Sequence, residues 1–133
     1  MVRVLIAEDE WLISFALRQQ LEKRGCEVVG IAKNGQEAID LCLQERPDLI
    51  FMDVRMPELD GIEATRSIMQ TCPTCVVMLS AYGENDQMER ATEAGAMGYL
   101  VKPISAEAIL PAIERARERF DGFHKRPQEG QRE

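Results

Sequence analysis

Three acids, a hydroxyl and an amine stand out because each follows a short apolar run: Glu8 and Asp9 after Val4 to Ala7, Asp53 after Ile50 to Met52, Ser80 after Val76 to Leu79, and Lys102 after Tyr99 to Val101. Carboxylates forced together repel and raise one another's pKa unless a hard cation with oxygen ligands sits among them. Mg²⁺, or Mn²⁺, is the economical partner for such a set. A phosphate-binding loop after the first strand needs glycines and backbone amides, whereas Ala7-Glu8-Asp9-Glu10 is acidic and repels phosphate. With a cation, the same residues could clamp a phosphoryl group. Asp53 is then the natural nucleophile, since carboxylates form acyl phosphates, and Lys102 and Ser80 could hold the phosphoryl oxygens.

Taken singly, each residue has a plainer reading: Asp53 as a helix cap or solvated loop acid, Lys102 as a surface lysine, Ser80 as a strand-end hydroxyl, Tyr99 as a half-buried aromatic. Their joint occurrence at the ends of successive strands outweighs it. In an open parallel α/β sheet, ligands bind outside the carboxyl ends of the strands, near the point where strand order reverses.

The elements that must position these residues are five apolar, β-branched runs, Val2 to Ala7, Glu27 to Ala32, Asp48 to Met52, Cys75 to Ser80 and Gly98 to Val101. Helical spacing lies between and after them, in Ile13, Ala16, Leu17 and Leu21, in Ala38, Leu41 and Cys42, and in Ile109, Ala112, Ile113, Ala116 and Phe120. Gly25 and Gly95 sit where helices should stop, Pro47 and Pro73 precede strands, and Asn34 and Ser105 stand at N-cap positions. Alternating strands and helices specify a parallel sheet covered on both faces. The fourth helix, Glu84 to Ala94, is mostly polar, with Met88 and Ala91 as its anchors, and should be weakly held. Pro111 predicts a kink in the last helix, or a helix that settles only after Ile109. Residues 1–120 read as one domain, and Asp121 to Glu133 as a charged tail or the start of a linker.

The chain has 133 residues, enough for one domain with a real core, and a formal charge of -7 that disfavours nucleic acid and anionic membrane as direct partners. No apolar run approaches the ~20 residues that span a bilayer, and the start lacks a signal-peptide layout, so the expected compartment is the cytoplasm. The cysteines at 26, 42, 72 and 75 read as reduced, mostly buried thiols.

Val4-Leu5-Ile6-Ala7-Glu8-Asp9-Glu10, Met52-Asp53-Val54-Arg55-Met56-Pro57, Asp60-Gly61, Leu79-Ser80-Ala81 and Tyr99-Leu100-Val101-Lys102-Pro103 resemble the signature segments of bacterial two-component response regulator receiver domains. The resemblance covers about Val2 to Phe120. It implies a doubly wound, flavodoxin-like (βα)₅ fold with strand order 2-1-3-4-5, and phosphorylation of Asp53 by a sensor histidine kinase. It further implies Mg²⁺ held by Asp9, Asp53 and the backbone carbonyl of Arg55, with Glu8 acting through water. Lys102 would contact the phosphoryl group, Ser80 would move towards it, and Tyr99 would turn inward, altering the face of the fourth helix, fifth strand and fifth helix. The Lys102-Pro103 bond would be cis, and Arg55 and Tyr82 would tune dephosphorylation. Such a protein is a phosphoacceptor rather than an enzyme, pairing with itself at most when phosphorylated.

A finer resemblance lies in Glu93 to Pro103, Leu110 to Glu114 and Arg119-Phe120, which look like receivers fused to an RNA-binding antitermination domain of the ANTAR type. That output domain would begin just after Phe120, so the chain reads as the receiver of a longer protein. The alternatives are a stand-alone regulator and a receiver-like binding module that works without phosphorylation.

Three rivals fit less well. Aspartyl-phosphate hydrolases resemble Asp-x-Asp, but the second position here is Arg55. Cys72-Pro73-Thr74-Cys75 closes a helix, whereas a thioredoxin-like pair opens one. A zinc site or disulfide joining Cys26 to Cys72 or Cys75 would have to bridge three strand spacings, roughly 14 Å.

Overall fold

The computed structural model describes residues 1–81 and 85–124, with Asn85 placed by its backbone alone. Strands and helices alternate as β1 (Arg3–Ala7), α1 (Trp11–Lys23), β2 (Glu27–Ala32), α2 (Gly35–Glu45), β3 (Leu49–Asp53), α3 (Gly61–Thr71), β4 (Cys75–Ala81), α4 (Asn85–Ala94), β5 (Gly98–Lys102) and α5 (Ala106–Phe123). The strands form one parallel sheet in the order β2-β1-β3-β4-β5, the flavodoxin-like receiver arrangement.

Strand periodicity sorts the apolar side chains into two cores. Leu5, Ile50, Met52, Val76 and Met78 face α2, α3 and α4, where Ala38, Cys42, Ile62, Ile68 and Ala91 meet them. Val4, Ile6, Leu49, Phe51, Val77 and Leu79 face α1 and α5, against Leu17, Leu21, Ile109, Ile113 and Ala116. Burying β1 and β3 on both faces explains why they are apolar nearly throughout.

Local signals behave unevenly. Asn34 caps α2, its side chain accepting from the Glu37 N–H at 2.8 Å, but Ser105 makes no such bond to α5. The helix α2 ends on Arg46 in the left-handed region, φ 49°, where no glycine marked a stop. At the end of α4, Gly95 has φ 118°, and a Cβ there would meet Met69 Cγ at 2.6 Å, so glycine lets α4 close against α3.

Four expectations need correction. Buried Ala94 joins Ala91 as an anchor of α4, while Met88 is only half-buried. On α1, Ala16 is exposed and Ser14 takes its place in the buried stripe. The helix α5 already begins at Ala106 and runs unbroken through Pro111. The N–H that Pro111 lacks would have bonded the carbonyl of Glu107, an exposed first-turn residue that water can satisfy. It also continues past Phe120 to Phe123, where the Phe120 and His124 rings stack at 4.5 Å, so helical structure reaches three residues into the expected tail. Tail residues 125–133 lie outside the described residues.

All four cysteines are free and buried. Cys42 and Cys72 lie in one core and Cys26 and Cys75 in the other, and Cys42 Sγ is 3.3 Å from the Thr74 hydroxyl.

Candidate functional site

The parallel sheet brings every strand's carboxyl end to one edge of the molecule. Glu8 and Asp9 follow β1 directly, Asp53 ends β3, Ser80 is the penultimate residue of β4, and Lys102 ends β5. Two backbone bonds fix the mouth: the Glu8 N–H donates to the Ala32 carbonyl at 2.9 Å and the Val54 N–H to the Leu79 carbonyl at 3.0 Å. Gly61 lets α3 start hard against β3. Its N–H donates to the Val54 carbonyl at 2.9 Å, and a Cβ there would overlap the Asp53 carbonyl oxygen.

Glu8, Asp9 and Asp53 each offer a carboxylate oxygen within 4.8 Å of the others, the one such acid, His or Cys group among the described residues. Asp9 is exposed, whereas Glu8 and Asp53 are only 1% and 5% exposed. Lys102 bridges the buried pair, with Nζ 3.0 Å from Glu8 Oε1 and 3.2 Å from Asp53 Oδ2. The other oxygens turn to the backbone: Glu8 Oε2 accepts from the Glu10 N–H at 3.1 Å and Asp53 Oδ1 from the Arg55 N–H at 3.4 Å. Lys102 meets Glu8 Oε1 at ion-pairing distance but off the angle of a hydrogen bond, so that buried oxygen has no hydrogen-bond partner.

Desolvation dominates the electrostatics. Burial pushes the Glu8 carboxyl up to about 7, with Lys102 opposing and Asp53 adding to the rise. Asp53 is also raised by burial, against the pull of Lys102. Burial alone would lower Lys102, but Glu8 and Asp53 outweigh it and raise its pKa. One cation thus serves two buried acids, a third acid lies within 4.8 Å, and a buried Glu8 oxygen is left without a hydrogen bond. A hard divalent cation fits this donor set, which is all oxygen, anionic and partly open to solvent.

The remaining sequence-derived residues fall as follows. Arg55 lies at the rim. Ser80 is buried on β4, beside Val101 of β5. Tyr99 is half-buried on β5, and its phenol donates to the Met88 carbonyl of α4 at 2.7 Å and pairs with the Thr92 hydroxyl. The Lys102-Pro103 bond is cis. Tyr82 lies outside the described residues. Sequence reasoning missed Gln87 and Arg90, which with Asp9 and the 54–57 segment line a recess of about 370 Å³. On a helix this polar nothing but packing shows which charged residues face the site. Thr92 was missed for the same reason.

The sequence matches the family described as the response regulator receiver domain over residues 4–114. Transcriptional regulatory protein PdtaR of Mycobacterium tuberculosis strain H37Rv is 50% identical over 118 residues, which are 89% of this chain and 58% of that protein. The chain thus spans little more than half the length of that relative. Chemotaxis protein CheY of Bacillus subtilis is 38% identical over 114 residues, 85% of this chain and 95% of CheY. The crystal structure of the response regulator domain of Thermotoga maritima CheB superposes with a TM-score of 0.83 at 34% identity, covering 89% of this chain and 97% of that one.

Proposed function

The chain belongs to the response regulator receiver family, and on that premise we propose that it is a phosphoacceptor switch whose Asp53 takes a phosphoryl group in a Mg²⁺-dependent reaction. The observation that carries this reading is the buried Asp53 carboxylate, held by Lys102 at 3.2 Å within a cluster of three acids. Asp9, Asp53 and the Arg55 carbonyl would hold the cation, with Glu8 behind them. When bound, the cation would offset the charge of the acids and of the incoming phosphoryl oxygens. Asp53 supplies the attacking oxygen, and its ion pair with Lys102 and the hydrogen bond from the Arg55 N–H orient the carboxylate for attack. Lys102, freed from Asp53 once that carboxylate is phosphorylated, would pair with a phosphoryl oxygen, and the Ser80 hydroxyl would move to another.

The readout would pass through α4, β5 and α5. Tyr99 is tied to Met88 and Thr92 of α4, so an inward turn of its ring must break those bonds and release a helix anchored by two alanines. A sensor histidine kinase is the proposed donor, and the exposed Trp11, Leu12 and Phe15 of α1 give it an apolar face beside the site. A C-terminal RNA-binding antitermination domain is the proposed output. Its support is the ANTAR-type resemblance of Glu93 to Pro103, together with 50% identity to a protein named as a transcriptional regulator. Among the described residues no helix is long and apolar enough to cross a membrane, in keeping with a proposed cytoplasmic setting. We propose no catalytic activity on other molecules.

The test is the intact mass of the wild type and of Asp53→Asn after incubation with acetyl phosphate, with Mg²⁺ or with chelator. Gain of one phosphoryl group by the Mg²⁺-treated wild type alone is expected. No gain under any condition would favour a module that works without phosphorylation.

A further inference from the structure

The recess beside Asp9 presents a cation that phosphorylation of Asp53, as set out above, does not use. Arg90 projects from α4, and its Nη1 donates to the Gln87 side-chain oxygen at 3.1 Å. Both line the recess together with Asp9, Asp60 and the loop from Val54 to Pro57, which includes Arg55. Among the described residues the Arg90 guanidinium is in no ion pair, and the side chain it bonds is a neutral amide. The acids that share the recess are engaged elsewhere: Asp60 caps α3, accepting from the Glu63 N–H at 2.9 Å, and Asp9 belongs to the carboxylate cluster.

A donor that brings its phosphoryl group to Asp53 must place its other end outside the cluster, and a recess of about 370 Å³ has room for a small one. We propose that Arg90, steadied by Gln87, is a specificity-determining residue that binds the leaving carboxylate of a small acyl phosphate. The proposal rests on the phosphoacceptor reading. In the step itself an Asp53 carboxylate oxygen bonds to phosphorus while the bond from phosphorus to the acyl oxygen breaks. The electron pair departs on the carboxylate product and no proton is required. The acyl end is neutral in the donor and gains its charge only as that bond breaks, so a guanidinium in the recess favours the transition state over the bound donor. Phosphoramidate loses neutral ammonia, develops no such charge, and gives Arg90 nothing to stabilise.

The experiment follows the Mg²⁺-dependent rate of phosphoryl gain by intact mass for wild type, Arg90→Ala and Arg90→Lys, with acetyl phosphate and with phosphoramidate. Loss of one charge-assisted hydrogen bond should slow Arg90→Ala about tenfold with acetyl phosphate, while the phosphoramidate rate changes by less than about twofold. Arg90→Lys, which keeps the charge without the fork, should fall between wild type and Arg90→Ala with acetyl phosphate. Equal slowing with both donors, or an unchanged acetyl phosphate rate, would overturn the proposal while leaving the phosphoacceptor reading intact. Failure of the wild type to be labelled by either donor would overturn both.

Discussion

Glu8 is the residue at which folding and chemistry conflict most openly. It is 1% exposed, one of its oxygens has no hydrogen bond, and its pKa rises from 4.5 to about 7 because burial penalises the charged form. A raised acid pKa means that the fold favours the protonated group. The resulting stability is fully present below about pH 4.5 and is lost as pH climbs through about 7. In chelator, Glu8→Gln should therefore flatten the decline in stability between those pH values and leave the protein about 1–3 kcal/mol more stable than wild type near pH 8. Denaturant midpoints across that pH range check this, and parallel profiles for the two proteins would refute it. The identity of this residue was plain in the sequence, as were Asp9, Asp53 and Lys102, because each ends a recognisable apolar run. What the sequence could not show is that Lys102 is shared between Glu8 and Asp53, since that depends on side-chain reach across three strands.

At the scale of elements, all five strands were legible within a residue or two: β1, β3 and β4 are buried nearly throughout and leave unbroken apolar runs, and the edge strands β2 and β5 are short β-branched runs bounded by turn residues. Helix faces and ends were less so. Neither the exposed side of α1 nor the left-handed stop at Arg46 has a distinctive sequence, and Pro111 allowed a start after Ile109 that a first-turn carbonyl open to water does not require. The start of α3 holds the closest approach in the site: a Cβ on Gly61 would collide with the Asp53 carbonyl oxygen and lie 2.9 Å from Met52 Cγ. Backbone cannot yield as a flexible side chain does, so Gly61→Ala should destabilise by about 1–3 kcal/mol and slow labelling of Asp53 by displacing it. Gly122→Ala is the matched control, because no atom lies within 4 Å of a Cβ there and α5 should gain up to about 1 kcal/mol. Urea melts of the two variants, with their labelling rates, test the contrast. Equal stability of Gly61→Ala and wild type would show that α3 can retreat from β3.

At the scale of the whole molecule, the sheet serves to gather residues far apart in sequence, from Glu8 to Lys102, at one edge, and its helices divide the work on either side. The face of α1 and α5 is tightly packed inside and carries exposed apolar residues outside, among them the α1 residues proposed above to meet the kinase. The polar helix α4, proposed above to carry the readout, rests chiefly on α3 and on small residues. The net charge of -7 disfavours a direct contact between this chain and nucleic acid. The most direct test is to locate the phosphoryl group. The wild type is treated with acetyl phosphate and Mg²⁺, reduced with borohydride, which converts an aspartyl phosphate to homoserine, and digested for peptide sequencing by mass spectrometry. Homoserine at position 53, absent when chelator replaces Mg²⁺, is the expected result. A label on any other residue, or homoserine formed equally in chelator, would contradict Mg²⁺-dependent phosphorylation of Asp53.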